Sequence, residues 1–267
     1  HIEQWIPIAP VEACLRIVET NITHHSIIIF TSGDPLFYGL GKLLIERFPE
    51  TRINFQPALS SMQLCFARFG LTWEDALFIS LHGRPLSQLA HVINHNKLFI
   101  LTDKINNPVS IARYLTERVE SHECGRYEMY IGENLGYSNE KLSILSIEEA
   151  MSRTFSQPNC IILVKNTDTA PVHDMRFGLT EKEIRHSRGL ITKNEVRAAV
   201  LHALRIPATG IFWDIGSGSG SISIEAARMN PGLDVYAIDF KPDAIDNIHY
   251  NRNKYRCWNI SIHQGRA

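Results

Sequence analysis

The stretch IFWDI-GSGSG-SISIEAARM, residues 211–229, decides how the second half of the chain is read. Ile211–Ile215 is a short apolar run rich in β-branched and aromatic residues, as in a buried strand. Ser221–Met229 places apolar residues at helical spacing. Between them stand Gly216, Ser217, Gly218, Ser219 and Gly220. Alternate glycines let the chain turn sharply and bring its amides against a ligand. The helix start that follows adds partial positive charge, suited to an anionic group. A Gly/Ser linker would not be held so tightly between a buried strand and an amphipathic helix.

Working outward, DVYAID (234–239) reads as the next strand and ISIHQ (260–264) as a third. A dinucleotide fingerprint starting at Gly216 needs Gly or Ala at 221, where Ser221 stands, and no phosphate-binding G-x-x-x-x-G-K-[ST] occurs. Asp239 closes the second strand, where a carboxylate can accept hydrogen bonds from ribose hydroxyls. Acidic residues on both sides of the loop, Asp214 and Asp239, fit S-adenosyl-L-methionine better than NAD.

Upstream, Thr192 with Glu195 predicts a capping box opening the helix KNEVRAAVLHAL, and Thr180 with Glu183 predicts another. Before them KNTDTAPVHD (165–174) is polar and rich in turn formers, and the domain boundary is set there, giving 1–170 and 171–267. The first half alternates strands with helices, an α/β pattern. SIIIF (26–30), INFQ (53–56), ALFISLHG, KLFILTD, RYEMYIGE, KLSILS and NCIILVKN are predicted strands. Predicted helices are LFYGLGKLLIERF (36–48), one opened by Ser60 and Gln63 and stopped at Gly70, LSQLAHVINH, and PVSIARYLTERV begun by Pro108. In TSGDPLFYGLG (31–41), Gly33-Asp34-Pro35 is a tight turn, while Gly39 and Gly41 suggest close approach of another backbone or a ligand.

The bulk numbers bound the function. At 267 residues, 44% apolar, 21% charged and net charge −1, the chain reads as a globular protein of two α/β domains with no basic excess for nucleic acid. No apolar run approaches membrane-spanning length, and the first residues do not suggest secretion, so a cytoplasmic protein is expected. Five scattered cysteines form no C-x-x-C and twelve histidines no H-E-x-x-H, so no metal is expected.

Two resemblances add to this. GLITKNEVRAAVLHAL (189–204), FWDIGSGSGSISIEAAR, AIDFKPDAIDNIHYN and HQGRA resemble the decarboxylating precorrin methyltransferases, members of the class I adenosylmethionine enzymes. That resemblance implies a Rossmann-like domain in which Thr192 lies near the cofactor, Gly216 to Gly220 hold its methionine end, Asp239 its ribose and Ala267 its adenine. Position 266 is Arg where many class I enzymes carry an acidic residue. SGDPLFYGLG resembles the cofactor segment of tetrapyrrole methylases, a two-lobed α/β fold, and implies a second donor site at Ser32, Gly33 and Asp34. Pro57-Ala-Leu-Ser60-Ser61 resembles that family's second cofactor loop, with Ala58 for its usual glycine. FARFGLTWEDALFISLHGR (66–84) and LTD with Asn106, Asn107 and Pro108 are similar to the subgroup acting at carbon 5.

The tandem order is similar to the fused precorrin-6Y C5,15-methyltransferases. It implies methylation of a precorrin or cobalt-precorrin at carbons 5 and 15 with decarboxylation, in cobalamin biosynthesis, by a homo-oligomer. Another tetrapyrrole substrate, or a non-catalytic donor-binding module, stays open. The family pattern also leads us to expect further strands before residue 1 and after Ala267. Arg84, Arg185 and Arg188 are candidates for the substrate's carboxylates, and His82 and His186 for proton handling. No catalytic nucleophile is evident, and methyl transfer needs none.

Overall fold

The computed structural model describes residues 5–119, 124–166 and 177–266. The chain divides into two compact units, residues 1–60 and 61–267.

In the first unit, helices α1 (Val11–Asn21) and α2 (Gly41–Arg47) pack Leu15, Val18, Leu44 and Phe48 together, with Leu40, Ile22, Ile29 and Ile53 around them. Helical spacing in 36–48 predicts one face of Phe37, Leu40, Leu44 and Phe48; the last three pack here, whereas Phe37 falls in the turn before a helix shorter than predicted. Tyr38 takes φ 52°, and residues 35–40 are a turn rather than helix. Residues 26–30 and 53–56 are not strands either. A strand needs a neighbour for its N–H and C=O groups, and none pairs with these runs among the described residues. Ile28 is 69% exposed and Phe30 65%; Phe30 instead stacks on Trp5, ring centroids 5.8 Å apart.

The second unit holds two sheets. In the first, β1 (Leu77–Ser80), β2 (Lys97–Leu101), β3 (Tyr127–Glu133), β4 (Lys141–Ser146) and β5 (Asn159–Lys165) lie in the order β1-β2-β5-β3-β4. Only β1 and β2 run parallel; β5 pairs antiparallel with β2 and β3, and β3 with β4. Helix α3 (Ser61–Phe69) brings Phe66 against Phe78 and Phe99, and stops at Gly70, φ 64°, as expected. Leu98, Ile100, Met129, Ile131, Ile161 and Leu163 join the core of α4 (Pro108–Arg118) and α5 (Ile147–Met151). Pro108 stands in the first turn of α4, and the Asn107 side chain caps it by accepting the Ser110 N–H at 3.0 Å. The predicted helix after Pro85 is a single 3₁₀ stretch, Leu86–His91.

The other sheet is wholly parallel, β6 (Thr209–Ile215), β7 (Gly232–Asp239) and β8 (Ile260–Gln264), in that order. Helices α6 (Asn194–Leu204), α7 (Ser221–Met229) and α8 (Pro242–Lys254) accompany it. Phe212, Val235, Ala237 and Ile260 pack with Ile224 and Ile248 of α7 and α8. Alternation sends Ile211, Trp213 and Ile215 outward, where each is more than half exposed. The expected box at Thr192 does not cap α6: Lys193 occupies the N-cap and gives no side-chain bond, so the helix begins at Asn194. Thr180 does donate its amide and hydroxyl to Glu183, at 2.8 and 2.7 Å, but the segment stays a turn. Tethers to α7 and α8 claim its neighbouring main chain.

Trp258, just before β8, is 3% exposed and belongs to the core of the five-stranded sheet. His91 Nε2 lies 3.1 Å from the Asp234 carboxylate, and the Asn94 amide donates to the Arg256 carbonyl at 2.9 Å. The two sheets are thus packed into one unit.

Candidate functional site

The glycine loop sits at the carboxyl ends of β6 and β7. Gly216 and Ser217 donate their amides to the Ile238 carbonyl at 2.8 and 3.0 Å, and the Ser217 hydroxyl donates to the carbonyls of Asp214 and Ile238. Gly216, Gly218 and Gly220 take φ 78°, 57° and 73°, a region L side chains rarely adopt. A Cβ at Gly216 or Gly218 would meet no atom within 4 Å, so both face open space, whereas one at Gly220 would press on Ile248 at 3.0 Å. The loop is therefore open on the side away from the sheet and backed by α8.

Asp239 is buried. Its carboxylate accepts the Gly218 N–H at 2.9 Å and the Lys241 N–H at 3.0 Å, so the residue expected to hold ribose also fixes the loop. Asp214 accepts the Ser223 hydroxyl at 2.5 Å; burial, opposed by that bond, raises its carboxyl above the ordinary range, and nearby Asp239 adds to the rise. Ser219 is buried and Ser217 half-buried. The face left open at Gly216 and Gly218 lets a ligand come close to the main chain, with the Asp239 carboxylate beside it.

Thr192 is half-buried and its carbonyl accepts from Arg197 at 3.1 Å. Arg197 and Glu225, each almost fully buried, form an ion pair at 3.5 Å. Arg197 also donates to Leu179 O and Asn194, and Glu225 accepts the amides of Gly178 and Leu179 at 3.2 and 2.8 Å. Segment 178–192 is thereby tied to the helix that follows the glycine loop. Arg185 lies over the Tyr250 ring at 4.9 Å, and Arg188 is exposed with φ 55°. His186 is half-buried, its Nδ1 2.9 Å from the Ile184 carbonyl. Sequence reasoning missed Arg197, Glu225 and the two α8 asparagines, Asn247 and Asn251. Ala267 lies outside the described residues.

In the first unit, Gly33 takes φ 67°, and a Cβ there would stand 3.2 Å from Ser60 Cα. The two segments expected to form one cofactor site, 32–34 and 59–60, are therefore in contact. Asp34 accepts the Leu36 N–H at 2.8 Å, shaping the turn; Ser32 is exposed and Ser60 buried. Gly39 and Gly41 each approach the Pro35 carbonyl so closely that a Cβ would lie 2.6 Å from it. The close approach the sequence suggested is thus this turn's own backbone.

In the second unit Ser61 is exposed at the start of α3, its carbonyl facing the Cys160 thiol at 3.9 Å. His82 and Arg84 are exposed in the loop after β1. Asp103 holds that loop, accepting amides of Gly83, Ile105 and Asn106 at 2.7, 2.8 and 2.6 Å, and these bonds hold its carboxyl below the ordinary range. The Asn106 side chain donates to the carbonyls of Leu81 and Arg84 at 2.7 and 2.8 Å. Among the described residues no cluster of three or more His, Cys, Asp or Glu could hold a metal, and no helix is long and apolar enough to cross a membrane.

Comparison with known proteins finds a family match in each half. Residues 8–151 match the tetrapyrrole (corrin/porphyrin) methylases, and residues 183–267 match the precorrin methyltransferase domain. A precorrin-6Y C(5,15)-methyltransferase [decarboxylating] of Sinorhizobium sp is 31% identical over 243 residues, 90% of this chain and 58% of that protein. Two Salmonella typhimurium proteins match one half each. A cobalt-precorrin-7 C(5)-methyltransferase is 34% identical over 51% of this chain and 65% of its own length. A cobalt-precorrin-6B C(15)-methyltransferase (decarboxylating) is 42% identical over 29% of this chain and 40% of its own. The chain thus spans less than two thirds of each of these relatives.

Proposed function

Because the chain belongs to the tetrapyrrole (corrin/porphyrin) methylases, we propose that the protein carrying it methylates a precorrin at carbons 5 and 15 and decarboxylates a ring acetate, with S-adenosyl-L-methionine as donor. The observation that carries the reading is the order of the two family matches along one chain, together with a relative that runs through both. Residues 1–170 would serve carbon 5, and residues 171–267 would serve carbon 15.

When bound, the donor supplies a methyl group already activated by its sulfonium. The chain's own residues then have to bind, orient and exclude water. In the second half, the open face at Gly216 and Gly218 would receive the amino-acid end, with Asp239 accepting from ribose hydroxyls beside its bond to Gly218. Thr192 would lie against the donor, and Arg185 and Arg188 would meet substrate carboxylates. In the first half, Ser32, Gly33, Asp34, Ser60 and Ser61 would hold a second donor molecule, and His82 and Arg84 would face the substrate. No side-chain nucleophile is required.

The test uses the full-length polypeptide with precorrin-6Y and isotopically labelled donor, read by mass spectrometry. Two labelled methyl groups gained and one carbon dioxide lost are expected. Donor bound without transfer to any tetrapyrrole would overturn the reading in favour of a binding module.

A further inference from the structure

The Arg185–Arg188 segment rides on one face of α8. Asn247 and Asn251 stand one turn apart there, at the i,i+4 spacing that aligns side chains. Asn251 is fully buried. Its amide oxygen accepts the Arg185 N–H at 2.8 Å; its amide nitrogen donates to the Arg185 carbonyl at 2.8 Å and to the Ser219 carbonyl at 2.9 Å. Both N–H groups and the oxygen of this side chain are therefore committed. One amide touches the glycine loop and the arginine segment, 32 and 66 residues away in sequence. Asn247 adds a tether to the Ser187 hydroxyl at 2.9 Å, and Tyr255 and Lys254 both donate to the Glu183 carbonyl.

The Ser219–Gly220 peptide is held at both ends: its N–H donates to the Ser217 carbonyl at 2.8 Å, and its carbonyl accepts from Asn251 at 2.9 Å. Of these two bonds, only the one from Asn251 comes from outside the loop. The same side chain holds both main-chain groups of Arg185, so a shift of either partner must break a buried hydrogen bond.

We propose that Asn251 is a positioning residue that sets the donor loop and the arginine segment in a single register. This rests on the functional reading above, in which the loop holds the methyl donor and Arg185 and Arg188 meet the substrate.

The test compares N251D with N259D in the full-length polypeptide. Asn259 is a matched control: its buried amide also donates to two main-chain carbonyls, Leu233 at 3.0 Å and Ala227 at 3.5 Å, away from the loop. For N251D, the donor KM of the decarboxylating transfer should rise at least about tenfold, as expected for losing buried hydrogen bonds. The donor KM of the carbon 5 transfer should stay within about twofold. Amide exchange in 183–188 should quicken in N251D and not in N259D. S187A, which removes only the neighbouring tether, should raise the tetrapyrrole KM by about twofold to fivefold and leave the donor KM unchanged; it keeps the test open if N251D does not fold. Wild-type kinetics in N251D, or an equal rise in N259D, overturns the proposal alone. A wild-type polypeptide that neither binds donor nor decarboxylates overturns the functional reading, and this proposal with it.

Discussion

Gly218 shows how one residue can be constrained from two directions. Its φ of 57° disfavours any side chain, and its amide is held by Asp239. A β-branched residue in that conformation is strained by about 1–2 kcal/mol, and its side chain would project into the open cradle. Gly218→Val should therefore abolish the second methyl transfer and leave the first intact, read as a product with one methyl gained and no carbon dioxide lost. Equal loss of both transfers would mean that the two sites are not independent. These glycines were legible in the sequence because a backbone requirement writes itself as Gly at fixed spacing. Asn251, Arg197 and Glu225 were not, because a buried polar group is explained by its partners, and these lie far along the chain. The Asp239 carboxylate was legible as a strand-end acid, but its bond to Gly218 was not.

At the scale of elements, periodicity located most strands and helices of the second unit, since each has a buried face that repeats with the right period. It failed where an apolar run pairs with no strand among the described residues, as at 26–30, and where left-handed backbone at Tyr38 delays the start of a predicted helix to Gly41. Capping boxes were an uneven guide: Thr180 and Glu183 make the local bonds without a helix, and α6 starts beyond Thr192. The loop carrying His82 and Arg84 rests on Asp103 and its three amide bonds. Those bonds favour the charged carboxylate, so its folded pKa lies below the unfolded one. The sign follows: the contribution is present above the unfolded pKa of about 4 and is lost as pH falls through the folded value. Asp103→Ala should cost about 1–2 kcal/mol at pH 7, and the difference from wild type should shrink as urea midpoints are followed into acid. A difference that stays constant down to low pH would exclude this role for the carboxylate.

At the scale of the whole molecule, Trp258 is the residue that most clearly crosses between the two sheets of the second unit. It comes from the parallel half and is buried in the core of the other, with the Arg252 guanidinium 5.9 Å from its ring. Trp258→Ala should cost about 3–5 kcal/mol and turn a single calorimetric transition of this unit into two. One transition at an unchanged temperature would mean that the indole contributes no coupling. Nothing in the sequence announced this role, because a tryptophan ahead of a strand reads equally well as its own sheet's core.

The indole also bears on how the two halves can be exchanged. Each half is similar to a relative named for a single methyl transfer, which invites building chimaeras from separate proteins. A foreign first half transplanted here would have to leave a slot for Trp258, and a foreign second half would have to fill the one left behind. Unless the graft carries that wedge and its socket together, with the His91–Asp234 contact beside them, the seam will open onto water.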